Sequence, residues 1–206
     1  METKESQEGL TAYQTRESLL LRLKDGEDGA AWSEFHELYG RLIFGYSLHY
    51  AISYAEAEDI VQEVCVKVFR QIIRFDYSPE KGRFRGWLKT ITRNAVIDHL
   101  RRTRSRQKVS TEYRLQLESE LEEESSKDEA VWRLEWEKAI YETALERVKE
   151  RIGPETFLIF KKYVLDDQSA ADVADETTLD ANAIYAVKHR VLRYIRQEVA
   201  KILDEE

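Results

Sequence analysis

Residues 84–94 read FRGWLKTITRN, a stretch in which aromatic and aliphatic side chains are interleaved with arginine and lysine. The apolar positions Trp87, Leu88, Ile91 and Ala95 recur three and four residues apart, so the stretch predicts a helix over about Arg85–Arg102 with one packed face. Basic side chains beside aromatic ones favour a folded surface that attracts phosphate and stacks on bases. A basic tail would not need the tryptophan or the isoleucine.

This helix lies within a block of positive charge that covers residues 81–108. The block holds ten basic residues against one acid, Asp98, a net charge of +9 in 28 residues, whereas the whole chain carries −8. Such a local reversal of sign predicts that one surface binds a polyanion. The simpler interpretation, a core helix with solvated arginines, leaves so many positive charges without an explanation.

The composition limits the class of protein. A chain of 206 residues forms one domain or two small ones, and 35% charged residues with two prolines favour helices with solvated faces. No apolar run is long enough to span a membrane, and Met1–Gly9 lacks the features of a signal peptide. The single cysteine, Cys65, excludes an internal disulfide. We therefore expect an all-α, soluble, cytoplasmic protein that does not insert into membranes.

Helical periodicity begins near Leu19 and continues through residues 32–50. A short break precedes the next helix, for which Ser53 is the predicted N-cap and Glu56 completes a capping-box spacing. That helix is expected over about residues 54–75. Its apolar stripe includes Cys65, which is therefore predicted to be a small core residue.

The middle of the chain changes in character. Residues 112–129 contain eight acids and few apolar side chains, which predicts a flexible acidic linker. Helical pattern returns at Val131, and Gly153-Pro154 is expected to end one helix and begin another. The predicted organisation is two small helical domains, residues 10–108 and 131–206, joined by the acidic flexible linker 109–130.

The last segment is predicted to form a helix-turn-helix. A short helix over Ser169–Asp175 is followed by a turn at Glu176–Leu179, and Asp180 can cap a longer helix. One side of that helix is apolar, with Ile184, Val187, Val191 and Ile195, while its other side is polar and basic. Two ordinary amphipathic helices are the alternative interpretation of the same pattern.

Catalysis is not indicated. The four histidines are scattered without metal-ligand spacing, and the glycines form no phosphate-binding or dinucleotide pattern. We therefore predict no catalytic residue, no metal and no cofactor, and we do not expect an enzyme.

Three motifs in this order resemble a known family. Residues 57–64 (AEDIVQEV), 84–88 (FRGWL) and 91–102 (ITRNAVIDHLRR) resemble conserved region two of the bacterial extracytoplasmic-function sigma factors of the sigma-70 family. The C-terminal helix-turn-helix resembles their region four. The resemblance extends over roughly Leu19–Leu203.

The resemblance implies a transcription initiation factor that binds core RNA polymerase and directs it to promoter DNA. Asp59, Gln62 and Glu63 would then dock on the coiled coil of the beta-prime subunit, with the beta flap as a second polymerase contact. The loop 76–83 would cradle a flipped promoter base. An anti-sigma factor is a further candidate partner.

It also implies two sets of DNA contacts. Those for the minus-ten element are Lys81, Arg83, Phe84, Arg85, Trp87, Lys89, Arg93, Asn94, Asp98, Arg101 and Arg102. Those for the minus-35 element are Asn182, Tyr185, Lys188, His189, Arg190, Arg193 and Arg196.

Two other functions stay open on the residues alone. A stand-alone helix-turn-helix regulator would bind duplex DNA without polymerase and would usually dimerise. A helical module that sequesters a protein partner would use the Asp59 face and would not need the arginines. Neither alternative explains why all three motifs occur together.

Overall fold

The computed structural model describes residues 17–75, 84–106 and 125–204, and all the regular secondary structure in these ranges is helical. The predicted all-α class is confirmed. The helices are α1 (Glu17–Lys24), α2 (Gly29–Phe35), α3 (Arg41–Leu48), α4 (Tyr54–Gln71), α5 (Phe84–Arg106), α6 (Ser125–Arg151), α7 (Pro154–Phe160), α8 (Ala170–Asp175) and α9 (Ala181–Asp204). None of the helices in these ranges is long and apolar enough to cross a membrane.

Helix ends are fixed by the residues that the sequence indicates. Ser53 and Glu56 form a reciprocal capping box at the start of α4, and the Asp180 carboxylate accepts a hydrogen bond from the Ala183 backbone N–H at 2.7 Å. Pro154 lies at the start of α7, where its missing N–H costs nothing. The predicted helix boundaries at these three places are confirmed.

Two π turns were not predicted. His36–Gly40 joins α2 to α3, and Lys161–Leu165 follows α7. Each inserts a wider turn, so the residues after it lie on a different face than a regular helix would give them. Phe157, Phe160 and Val164 have the spacing of one helix face, yet only Phe160 is fully buried.

The chain divides into two compact units, with the division after Ala139 inside α6. In the first unit α4 packs against α3 and α5. Its core contains a group of aromatic rings in which Phe84 contacts Phe35, Tyr39 and Phe75 at centroid distances of 5.6 to 6.3 Å. This core fixes the start of α5, which carries the basic residues.

The second unit contains the rest of α6, α7, α8 and α9. Helix α9 packs on α7 and α8, and its predicted inner stripe, Ile184, Val187, Val191 and Ile195, is buried. Helix α8 is followed by a short connection and the long helix α9, and the assignment of these helices to a helix-turn-helix stays a prediction. Their use on DNA remains a prediction.

Residues 109–124 of the predicted acidic linker 109–130 lie outside the described residues. The remainder differs from expectation, because Ser125–Ala130 forms the first turns of α6, and Asp128 is buried. The abundance of acids in residues 112–129 had suggested that these positions are flexible. The predicted domain limits themselves stay a prediction.

Candidate nucleic-acid and polymerase interfaces

Helix α5 positions the central candidates for nucleic-acid contact. Trp87 is half-buried, and its ring lies 4.7 Å from that of Phe75 and 5.4 Å from that of Phe84. Asn94 and Asp98 are exposed on the same helix, while Arg93 is half-buried. Phe75 and Phe84 thus support the partly exposed Trp87 ring, which lies on the same helix as these polar and basic side chains. A partly exposed aromatic ring among such side chains suits stacking on a base.

Phe84 is not available for such a contact. Its side chain is completely buried, with Phe35, Tyr39, Phe75 and Trp87 around it. The assignment of Phe84 to the DNA-contacting set is therefore corrected: its ring packs in the core and supports Trp87. A phenylalanine one residue before a predicted helix carries no sign in the sequence of which way its ring points.

Lys89 is held by acids from the start of α6. Its ammonium lies 2.9 Å from an Asp128 carboxylate oxygen and 2.7 Å from one of Glu129. Burial alone lowers the pKa of Lys89, but the hydrogen bonds and charges of the two carboxylates outweigh burial and raise it overall. Lys89 is thus a firmly charged but occupied cation.

Asp128 is the centre of this cluster. One of its oxygens, Oδ1, accepts hydrogen bonds from the hydroxyls of Tyr46 and Tyr50, and the other faces Lys89. Burial raises the pKa of Asp128, yet these hydrogen bonds and the lysine charge lower it overall. Burial raises the pKa of Tyr50 to about 12, so both tyrosines stay protonated donors at neutral pH.

Aromatic side chains anchor the same part of α6. Trp136 stacks on Tyr39 with a centroid distance of 5.5 Å, and Trp132 meets the Tyr46 ring edge-on at 5.1 Å. The Arg85 guanidinium lies over Trp136, 4.7 Å from its ring centroid. Only the tertiary structure reveals this surface, because its α6 residues lie outside every motif in the sequence.

A carboxylate and a histidine complete this packing of α6. Glu135, which is buried, pairs with His49 Nε2 at 2.9 Å. A side chain on Gly45 would collide with the Glu135 carboxylate, so the absence of a Cβ there admits the glutamate. The start of α6 is therefore an integral part of the first unit.

Two residues with different predicted roles contact each other. Glu63, a candidate for polymerase docking, lies 2.8 Å from Arg102, a candidate for DNA contact, and also 2.8 Å from Lys67. Burial raises the pKa of Glu63, but the hydrogen bonds from Lys67 and Arg102 lower it overall. Arg101 lies 4.0 Å from Asp98 within α5.

The outer face of α4 carries the other polymerase candidates. Asp59 and Gln62 are exposed, one helical turn apart, and Glu63 is half-exposed beside them. On the opposite side Val61, Val64, Val68 and Ile72 are buried, as the stripe predicts. Cys65 is half-buried, and burial raises the pKa of its thiol to about 11.

In the second unit α9 presents the minus-35 candidates on its outer side. Lys188 is half-buried and the others are exposed: Asn182, Tyr185, His189, Arg190, Arg193 and Arg196. Tyr163, which was not predicted, meets Tyr185 edge-on at 5.7 Å, and the Lys188 ammonium lies 5.4 Å from its ring centroid. The π turn brings Tyr163 to this position.

The remaining candidates fall outside the described residues. These are Lys81 and Arg83, together with the loop 76–83 that was predicted to cradle a base. Within the described ranges no group of three or more histidine, cysteine, aspartate or glutamate side chains could hold a metal ion.

Comparison with known proteins finds one matching family model and two similar proteins. Residues 35–106, which include α4 and α5, match the Sigma-70 region 2 family. The ECF RNA polymerase sigma factor BldN of Streptomyces coelicolor is 28% identical over 176 residues, which are 85% of this chain and 62% of that protein. The ECF RNA polymerase sigma factor RpoE of Cereibacter sphaeroides is 29% identical over 87 residues, 42% of this chain and 47% of that protein.

The described part of the chain is thus all-helical, residues 35–106 match the Sigma-70 region 2 family, and the chain is similar to two RNA polymerase sigma factors. Both similar proteins are named as extracytoplasmic-function (ECF) sigma factors, which supports the resemblance predicted from the motifs. The chain spans about two thirds or less of the length of these relatives: 62% of one and 47% of the other.

Proposed function

We propose that this protein is a transcription initiation factor that binds core RNA polymerase and directs it to specific promoters. One observation carries the proposal: the first unit presents exposed Asp59 and Gln62 on α4 beside the polar and basic side of α5, within the residues that match Sigma-70 region 2. Both similar proteins are named as RNA polymerase sigma factors. The protein would act by binding, without catalytic residues of its own.

The polymerase contact would be made by α4. Asp59, Gln62 and Glu63 offer carboxylates and an amide that can pair with basic and polar side chains on the beta-prime coiled coil. The second unit would reach the beta flap, and an anti-sigma factor would compete for one of these surfaces. Electrostatic complementarity of this kind mainly sets specificity and the association rate.

The minus-ten contact would be made by α5. Opening a promoter requires a strand whose bases are unstacked, and base–aromatic stacking is worth about 1–3 kcal/mol per base. Trp87 offers the stacking ring, and Arg93 and Arg101 on the same helix are candidates for contact with phosphate. The complete proposed set is Lys81, Arg83, Arg85, Trp87, Lys89, Arg93, Asn94, Asp98, Arg101 and Arg102.

The minus-35 contact would be made by α9 in the major groove. The exposed side chains from Asn182 to Arg196 would supply base and phosphate contacts, and Tyr163 would support Tyr185. Residues 10–108 and 131–206 would be the functional domains, and the acidic residues between them would be the linker, with Ser125–Ala130 already helical.

A binding assay with purified bacterial core RNA polymerase tests the proposal. We expect the full chain to co-elute with polymerase on gel filtration and the double variant Asp59→Arg, Gln62→Ala to lose that binding. The matched control is Asp25→Arg, Gln71→Ala, which changes the same residue types at exposed positions of the same unit.

The two outcomes separate this function from a rival. If the wild type binds polymerase and only the α4 variant does not, the sigma function stands. Failure of the wild type to bind polymerase, together with tight binding to duplex DNA alone, would establish the stand-alone regulator instead.

A further inference from the structure

The start of α6 lies against the basic side of α5 within the first unit. Asp128 and Glu129 both reach Lys89, and the Lys89 side chain is only 16% exposed. Trp136 lies under the Arg85 guanidinium on the same surface. Two of the cations that would meet a DNA strand are therefore in contact with another segment of the same chain.

The two carboxylates have other partners or water available to them, besides Lys89. Asp128 Oδ1 is already satisfied by the hydroxyls of Tyr46 and Tyr50. The Glu129 side chain is 72% exposed, so water can replace its lysine contact. Release of Lys89 therefore leaves Asp128 Oδ1 bonded and Glu129 in water, and its cost falls on the buried Asp128 Oδ2, which an incoming anion must outcompete for the lysine.

Buried residues further along α6 hold the helix in place while Lys89 exchanges partners. Trp132 and Trp136 are almost completely buried against Tyr46 and Tyr39, and Glu135 pairs with His49. Exchange at Lys89 would thus be confined to the first turns of α6, where helices fray most easily.

We propose that the first turns of α6 are an intramolecular acidic cover whose Asp128 and Glu129 carboxylates compete with nucleic-acid phosphate for Lys89. This inference rests on the proposed function, since it takes α5 as the surface that meets a DNA strand. The cover lowers the affinity of the free chain for nucleic acid. It does so by neutralising a cation rather than by blocking the Asp59 face.

The test measures binding of a fluorescent oligothymidine to the full chain by anisotropy. Asp128→Asn, Glu129→Gln keeps the Oδ1 acceptor for the two tyrosines while removing both charges. We expect this variant to bind about three to ten times more tightly than the wild type, because the two carboxylates that compete with phosphate for Lys89 lose their charge. Asp25→Asn, Glu27→Gln, which removes two charges at exposed positions of the same unit, is the matched control and should change the affinity far less.

Lys89 itself supplies the decisive comparison. In the wild type Lys89→Gln should change the affinity less than about twofold, because the cover already neutralises that charge. In the Asp128→Asn, Glu129→Gln background it should abolish the gain. The single variant Glu129→Gln, at a largely exposed position, should show part of the gain and keeps the test valid if the double variant folds poorly.

Two results would overturn the cover. One is a large decrease in affinity on Lys89→Gln in the wild type, which would show that the lysine is already available. The other is oligothymidine binding that none of these changes affects, or that is absent in every variant. If polymerase binding persists in that case, the proposed function stands and only the cover is rejected.

Discussion

The basic side of α5 and the outer side of α9 look alike in sequence and differ in structure. On α5, Lys89 and Arg102 lie within 3 Å of carboxylates from α6 and α4, about forty positions away in the chain. On α9, Arg190 and Arg196 are exposed and form no ion pair with any side chain in the described part of the second unit. Lys89 and Arg102 of the first region are thus paired with carboxylates, whereas Arg190 and Arg196 of the second are exposed.

The difference shows that a local excess of charge does not measure the charge that a ligand meets. Residues 81–108 carry one acid among ten basic residues. The acids that pair with them lie outside this window, in Glu63, Asp128 and Glu129. The predicted acidic linker therefore includes residues that form ion pairs with Lys89 of α5.

The largest expected effect tests whether the start of α6 belongs to the first unit. Trp136→Ala should lower the free energy of unfolding of that unit by about 3–5 kcal/mol, because it removes a buried ring stacked on Tyr39 and leaves a cavity. Urea denaturation followed by circular dichroism measures the change. Leu134→Ala, at an exposed position two residues away, should stay within about 0.5 kcal/mol of wild type.

Two glycines of the first unit should respond in opposite directions to alanine. Gly45→Ala forces a methyl group against the Glu135 carboxylate and should destabilise by about 1–3 kcal/mol. A Cβ at Gly86, which lies in α5, would have no packing neighbour within 4 Å. Gly86→Ala should therefore raise the free energy of unfolding by about 0.5–1 kcal/mol. Thermal denaturation of both variants decides the matter, and stabilisation by both would mean that α6 does not press on Gly45.

The salt dependence of duplex binding compares the two basic surfaces directly. Arg190→Ala, Arg196→Ala should lower the steepness of the negative slope of log K against log salt by about 0.9 for each phosphate that the protein no longer neutralises. Lys89→Ala should lower it much less, because its charge is already neutralised in the chain. Equal slopes for both variants would remove the distinction between the paired and the exposed surface.

The smallest effect concerns another pairing of α5, that of His99 with Glu56 at 3.1 Å. Hydrogen bonds from the Ser53 side chain and backbone, and then from His99, lower the pKa of Glu56 from 4.5 to about 2. A lowered pKa stabilises the fold above pH 4.5, and this stabilisation disappears as the pH falls from 4.5 towards 2.

Glu56→Gln should therefore lower the melting temperature at neutral pH and differ progressively less from wild type below pH 4.5. Glu58→Gln, at an exposed position of the same helix, is the control. A constant difference between Glu56→Gln and wild type across the acid range would contradict this account.

Much of the local structure was predictable because its causes are local. Ser53, Pro154 and Asp180 fix helix ends through neighbours within a few residues. The inner stripe of α9 follows from helical spacing alone. The exposed position of Asp59 and Gln62 follows in the same way, and the three motifs were enough to predict the resemblance to sigma factors that the comparisons support.

The sequence by itself determined the helical class, the caps, the inner and outer faces of α4 and α9, and the resemblance to sigma factors, since each rests on short-range spacing. The tertiary structure alone decided that Phe84 is buried, that Lys89 meets Asp128 and Glu129, and that Tyr163 supports Tyr185. Those facts depend on which distant segments meet and on a π turn that shifts the register. Packing of remote side chains sets both, and no local pattern in the chain records it.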